Sequence, residues 1–476
     1  MDPTVTASPP PLAVAVSPLY RGLRALIRAA LATFYRTIEV TGRERVDATL
    51  PTILACNHPN SIIDPLLLGT LEDRQVCFCA RDGLFRIPGF GALLRSVGAV
   101  PLQRRSDHGG GTVDNAGSFA ACREVLVNGG VMAIFPEGKT HSRLRIEPLK
   151  TGTVRIALDA VSARPDLGLR IVPVGITYLV RHAFLSDVHV AVGEPIDVAA
   201  AVREAGDADP VRALTARMEQ ALRALSVHVE STEDERLVAQ VTAIVAGIRA
   251  EEGLDAGGQS PAERTALVQR VVDAYRWATE TDPAATAALR LRIESYMDER
   301  AAMGMGGEGV ALQHRGERRG LTGWRWGAFL ALGAPVAAYG LAVSLVPYGL
   351  LRAALAVVRL SSYRVALFKL LGGLALFAAC WAVEVGLMAW FAGPLAALAF
   401  ALTLAPAALF AHRYVTETRL HRVHLRSVGA WWQEHRVARL KEERKAIAEA
   451  LTTLRRQYLA QRADLTPPRP ACERGQ

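Results

Sequence analysis

Between Thr52 and Pro195, apolar runs of strand length alternate with helical patterns, and this alternation limits the fold more than any other feature of the chain. Strands are expected at Thr52–Cys56, Gln75–Cys79, Ala99–Gln103, Val131–Phe135, Arg170–Tyr178 and Val188–Val192. Helices are expected between them, at Pro65–Leu71, Gly91–Val97, Asp114–Asn128 and Thr151–Ala163. Such alternation predicts an α/β domain, a mostly parallel, buried sheet flanked by helices.

A length of 476 residues suggests about three domains. The expected organisation is an N-terminal tail and amphipathic helix (1–46), the α/β domain (47–209), an Ala/Arg/Glu-rich helical region (210–302) and a Gly- and charge-rich linker (303–323). A membrane-embedded helical part (324–414) and a basic helical region with a Pro-rich tail (415–476) follow. Half of the residues are hydrophobic, and the excess gathers between Trp324 and Phe410. Three apolar stretches, Gly327–Leu351, Val365–Phe391 and Pro394–Ala411, are each long enough to cross a bilayer, which takes about 20 residues. The Ala392-Gly393-Pro394 turn carries no basic residue, whereas arginines flank the outer ends. The positive-inside tendency then makes the second and third stretches a hairpin with this turn outward and the α/β domain on the cytoplasmic face. The first stretch, interrupted by Pro335 and Pro347 and basic at both ends, is expected to be re-entrant or interfacial, a full third span being the alternative.

The net charge of +9 fits an anionic bilayer surface better than nucleic acid, because no basic cluster is interleaved with aromatics. Pro18 to Arg36 gathers Leu19, Leu23, Leu26, Ile27, Leu31 and Phe34 on one helical face, with Arg21, Arg24 and Arg28 beside it. Such a helix can lie at a bilayer surface or pack on the domain that follows. Met1 to Pro18 lacks the early positive charge of a secretory signal. The six cysteines are scattered without zinc spacing and are expected to be reduced thiols.

Candidate chemistry clusters after the strands. Thr52–Cys56 runs into Asn57-His58-Pro59-Asn60-Ser61-Ile62-Ile63-Asp64-Pro65. If Asp64 accepts a hydrogen bond from one imidazole nitrogen of His58, the other can take a proton from an alcohol. Gly98 to Arg104 ends a strand on a guanidinium suited to phosphate. Phe135-Pro136-Glu137-Gly138-Lys139-Thr140-His141-Ser142 follows the next strand. Gly138-Lys139-Thr140 is superficially a nucleotide loop, but the glycine required at position 133 is alanine. No Gly-x-Ser-x-Gly elbow supplies a serine nucleophile, and Cys56 is expected to be packing. His141 and His182 are scattered along the chain, which argues against a metal hydrolase centred on His58.

In order, Asn-His-x5-Asp-Pro, Gly-x5-Arg, Phe-Pro-Glu-Gly and Val172-Pro173-Val174 resemble the four blocks of the glycerolipid acyltransferases. The five-residue His-to-Asp spacing, one longer than the usual four, resembles the yeast-type glycerol-3-phosphate/dihydroxyacetone-phosphate acyltransferases. The third block departs from the family, with Lys139-Thr140-His141-Ser142 in place of Thr-Arg-Ser. The resemblance implies His58 as general base and Asp64 as its orienting partner. It also implies Arg104, Glu137, Gly138, Lys139 and Pro173 as the acceptor-binding set. The donor is an acyl thioester of coenzyme A or acyl carrier protein, the acceptor a phosphate-bearing glycerol, and no cofactor is implied. Lysophospholipid acylation is the alternative within this chemistry. A non-catalytic, membrane-anchored lipid-binding protein is the alternative from another class.

Overall fold

The computed structural model describes residues 16–87, 89–103, 114–141, 143–180, 185–229, 231–251, 259–302, 323–357, 368, 372–429 and 434–465. The chain divides into two compact units, and the first, which runs to His228, holds the α/β domain. Its strands are β1 (Tyr35–Thr41), β2 (Thr52–Cys56), β3 (Val76–Arg81), β4 (Val100–Leu102), β5 (Val131–Ile134), β6 (Arg170–Tyr178), β7 (Ser186–Val192) and β8 (Ile196–Asp197). They form one sheet in the order β1-β7-β6-β2-β5-β3-β4, with β8 beside β6. The β2, β3, β4 and β5 pairings are all parallel, and β7 runs antiparallel to β6. The mostly parallel α/β architecture is therefore present.

β2 and β5 are buried at every position, because helices cover both faces of the sheet. Even-numbered residues of β6 (Val172, Val174, Ile176, Tyr178) face α1 (Pro18–Phe34) and α2 (Ile63–Leu71), with Leu54 and Cys56 of β2. Ile53, Ala55 and Ile171 face the other way, onto α4 (Ala116–Val127), α5 (Gly152–Ala163) and α7 (Pro210–Leu225). Of the remaining helices of this unit, α3 is Phe90–Ser96 and α6 Val198–Ala205. Pro173 interrupts neither face. Its carbonyl accepts from the amide of Gly193, so its missing N–H falls where β7 gives way to β8.

β1 was not among the expected strands; it continues directly from α1 and pairs parallel to β7. α1 is capped by Ser17, whose hydroxyl accepts from the Tyr20 amide at 3.1 Å. It packs on the domain through Leu31 and Phe34. Arg24 donates to the carbonyls of Glu72 (2.9 Å) and Asp73 (2.6 Å), and Arg28 to that of Thr70 (3.0 Å). Two of the three arginines thus serve the carboxyl end of α2, while Leu19 and Leu26 stay exposed.

In the second unit, helices Thr232–Glu251, Pro283–Ala302 and Glu434–Leu465 share a core of Leu237, Ile244, Ile293, Tyr296, Leu440 and Ile447. Three further helices are long and apolar enough to cross a membrane: Gly327–Val357, Gly373–Ala392 and Pro394–Thr416. The first lies within an unbroken helix, Gly323–Val357, that runs through both Pro335 and Pro347. The chain reversal of a re-entrant segment is therefore not found. Prolines persist inside such helices where neighbouring helices support the backbone. Here Gly340 packs so closely on Ala407 that an added Cβ would lie 2.1 Å from that carbonyl oxygen. Tyr414 donates to the Leu330 carbonyl at 2.9 Å and Trp381 to that of Val343 at 3.1 Å. The expected linker up to residue 322 and the Pro-rich tail from residue 466 lie outside the described residues.

Candidate active site

Parallel neighbours end at the same edge of a sheet. β2 pairs with β5 and β6, so Asn57-His58, Phe135-Pro136-Glu137 and Tyr178 emerge together, at the carboxyl edge where α/β folds gather ligands. Asn57 fixes the exit of β2: its side-chain amide donates to the Ile176 carbonyl (3.0 Å), and its side-chain oxygen accepts from the Ile176 amide (2.7 Å). The chain then turns through Ser61, which takes a positive φ of 51°, and enters α2 with Asp64 in the first turn. A carboxylate there faces the positive end of the helix.

His58 and Asp64 are brought together. His58 Nδ1 lies 2.9 Å from Asp64 Oδ2, and the ring stacks on Phe135 with centroids 4.0 Å apart. The Asp64 side chain is 0% exposed and that of His58 11%. Two further donors hold the carboxylate: the Asn60 amide to Oδ2 (2.7 Å) and the Tyr178 hydroxyl to Oδ1 (2.6 Å). Burial pushes the Tyr178 hydroxyl well above its ordinary range, so it remains a donor. Burial likewise pushes the Cys56 thiol far up, which leaves it a packing residue and no thiolate nucleophile.

Glu137 faces inward, its side chain 0% exposed. One oxygen accepts from the His58 amide at 3.1 Å; the other accepts from the Glu147 amide at 3.0 Å and meets His141 Nε2 at 2.5 Å. The carboxylate thereby ties the loop after β5 to the backbone of the proposed base. Gly138 takes φ +68°, a left-handed backbone conformation that favours glycine. Lys139 reaches outward and pairs with Glu147 at 3.1 Å. Hydrogen bonds from Arg145 and then Lys139 hold the Glu147 carboxyl well below the usual range. Arg104 lies outside the described residues. Beside His58 is a cavity of about 20 Å³, lined also by His141, Arg143, Tyr178 and Ser226. Lys139 and Pro173 are not in that lining; Pro173 is buried within β6.

The sequence reading missed two of these residues. His141, taken as scattered, shares the His58 cavity and has its own carboxylate partner. Tyr178 reaches Asp64 from across the sheet. The available signal for Tyr178 was parity: it continues the even-numbered apolar register of β6 to the end of the strand.

The acyltransferase family model matches residues 37–177. An uncharacterized acyltransferase of Schizosaccharomyces pombe is 33% identical over 249 residues, 35% of this chain and 37% of that protein. Glycerol-3-phosphate O-acyltransferase 2 of Saccharomyces cerevisiae is 38% identical over 86 residues, 18% of this chain and 12% of that protein. A chloroplastic 1-acyl-sn-glycerol-3-phosphate acyltransferase of Brassica napus is 27% identical over 168 residues, 34% of this chain and 46% of that protein. The chain thus spans less than half the length of each of these relatives. The matched segment, residues 37–177, holds β2 to β5 and all four ordered blocks, and is similar to an acyltransferase domain.

Proposed function

We propose that this chain moves a fatty acyl group from an acyl thioester to a hydroxyl of glycerol 3-phosphate or dihydroxyacetone phosphate at a membrane. The carrying observation is the 2.9 Å contact between His58 Nδ1 and Asp64 Oδ2. With Asp64 accepting Nδ1–H, Nε2 keeps a lone pair for the acceptor proton. The hydroxyl oxygen attacks the thioester carbonyl as His58 takes its proton, and a tetrahedral oxyanion forms. Its collapse breaks the C–S bond, and the departing thiolate recovers the proton from the imidazolium. A thiolate leaves readily, so no covalent acyl-enzyme is required, in keeping with the buried Cys56 thiol. Coenzyme A or acyl carrier protein would carry the acyl group.

Arg104 is assigned to the acceptor phosphate, and Lys139 to the mouth of the site. Glu137 and Gly138 act through the shape of the loop, Pro173 through the end of the sheet pairing. The domain would face the cytoplasm. A second acceptor class, 1-acylglycerol 3-phosphate, is favoured by the similarity to the Brassica napus protein.

Purified full-length chain given labelled palmitoyl-CoA should acylate at least one of glycerol 3-phosphate, dihydroxyacetone phosphate and 1-acylglycerol 3-phosphate, and the labelled product names the acceptor. Transfer to none of the three would overturn the proposal. Truncation before Leu321 removes all three membrane-length helices and should shift most of the protein to the soluble fraction on carbonate extraction. Unchanged retention would move the anchor elsewhere, with the exposed Leu19 and Leu26 of α1 the next place to look.

A further inference from the structure

Asp64 is fully buried beside an imidazole, yet its second oxygen turns away from His58 and takes the hydroxyl of a residue 114 positions later. That hydroxyl belongs to Tyr178, at the last position of β6. The ring is 7% exposed and tilts against Tyr35, with centroids 5.9 Å apart. We propose that Tyr178 is a positioning residue of the proposed acyl transfer, a third member of a Tyr178–Asp64–His58 chain. It sets both the orientation of the carboxylate and how strongly that carboxylate draws a proton onto His58. The inference rests on the reading of His58 as the general base.

When His58 is neutral, the pair bears one net negative charge in a dry site, and a donor to Asp64 stabilises that state. Protonation of His58 turns the pair into a net-neutral ion pair, which gains less from the same donor. Tyr178 therefore favours the proton-free base, and its removal should raise the proton affinity of the pair. The other titratable or charged groups facing the site are Cys56 on β2, Tyr35 on β1, and Glu137, His141, Arg143 and Arg145 on the loop after β5. Among the described residues, the hydrogen bonds to the Asp64 carboxylate come from His58, the Asn60 backbone amide and Tyr178. Tyr35 instead accepts from the Asn60 side chain, whose Nδ2 lies 3.4 Å from the hydroxyl oxygen. It provides a matched control that deletes a buried hydroxyl from the same cluster without touching the carboxylate.

The experiment compares full-length wild type, Tyr178→Phe and Tyr35→Phe in two measurements against pH. One is kcat/KM for acyl transfer. The other, independent of turnover, is the rate of His58 carbethoxylation by diethyl pyrocarbonate, read by mass spectrometry. In Tyr178→Phe the acid limb and the carbethoxylation midpoint should both move up by about one pH unit, the scale of one hydrogen bond to a charged group. The rate loss should be about tenfold below the limb and should recover at alkaline pH. A merely structural lesion lowers the rate equally at every pH. Tyr35→Phe should leave both midpoints in place. In an Asp64→Asn background, Tyr178→Phe should add no further shift, since the charge it serves is gone. Unmoved midpoints in Tyr178→Phe, or an equal shift in the Asp64→Asn background, would overturn the inference. A wild type that modifies normally at His58 yet acylates no acceptor would instead strike the proposed function, with the carbethoxylation midpoints still judging Tyr178.

Discussion

His58→Ala should lower acyl transfer by about 10²–10⁴-fold, the usual contribution of a positioned base, with little change in folding or membrane retention. Its ring covers Phe135, but its loss does not leave the buried Asp64 carboxylate bare. The Asn60 amide and the Tyr178 hydroxyl still donate to it, at 2.7 and 2.6 Å. The amide that Glu137 holds is a backbone group and survives the substitution. Thermal melting should therefore stay close to wild type while turnover collapses. Turnover within a factor of two of wild type would remove His58 from the mechanism. A collapse in melting would make the turnover loss uninformative, and His58→Gln, which keeps more of the packing over Phe135, would then decide.

The α/β domain was legible because its central strands, β2 and β5, are buried on both faces and so read as uninterrupted apolar runs. β1 was not. Its sequence, Tyr-Arg-Thr-Ile-Glu-Val-Thr, is a partly exposed strand fused to the end of an amphipathic helix, and only its parallel pairing with β7 defines it. Arg24 and Arg28 were legible as part of a basic face, but their hydrogen bonds go to carbonyls at the end of α2, which carry no side-chain signature. Proximity in sequence revealed the His58–Asp64 pair, six residues apart. Tyr178 reaches the same carboxylate only because β2 and β6 are neighbours in the sheet. The prolines of the first apolar stretch suggested a break. Close helix packing around Gly340 favours continuity there, and that depends on residues some 70 positions away.

Glu137 separates two roles that the sequence alone merges. As an acceptor-binding group it would be expendable for folding, and Glu137→Ala would raise the KM for a phosphate-bearing acceptor at unchanged stability. The structure instead gives its carboxylate the His58 amide, the Glu147 amide and His141 Nε2 as partners, with no exposed side-chain surface. Alanine would strand these donors in a closed site, at about 1–3 kcal/mol each for groups left unsatisfied, against a total domain stability of about 5–15 kcal/mol. Glu137→Ala should therefore lower the melting temperature of the domain by about 10 °C and release the loop that carries Gly138 and His141. Glu137→Gln keeps one acceptor oxygen and the side-chain volume, but turns an N–H toward existing donors, so it should fall between alanine and wild type. Amide exchange gives the sharper readout: the amides of His58 and Glu147 should lose protection in Glu137→Ala while those of β2 and β5, whose partners are within the sheet, keep theirs. Wild-type melting and protection together with a raised acceptor KM would return this carboxylate to the substrate, and would mean that the loop is held by something other than the bonds it makes here.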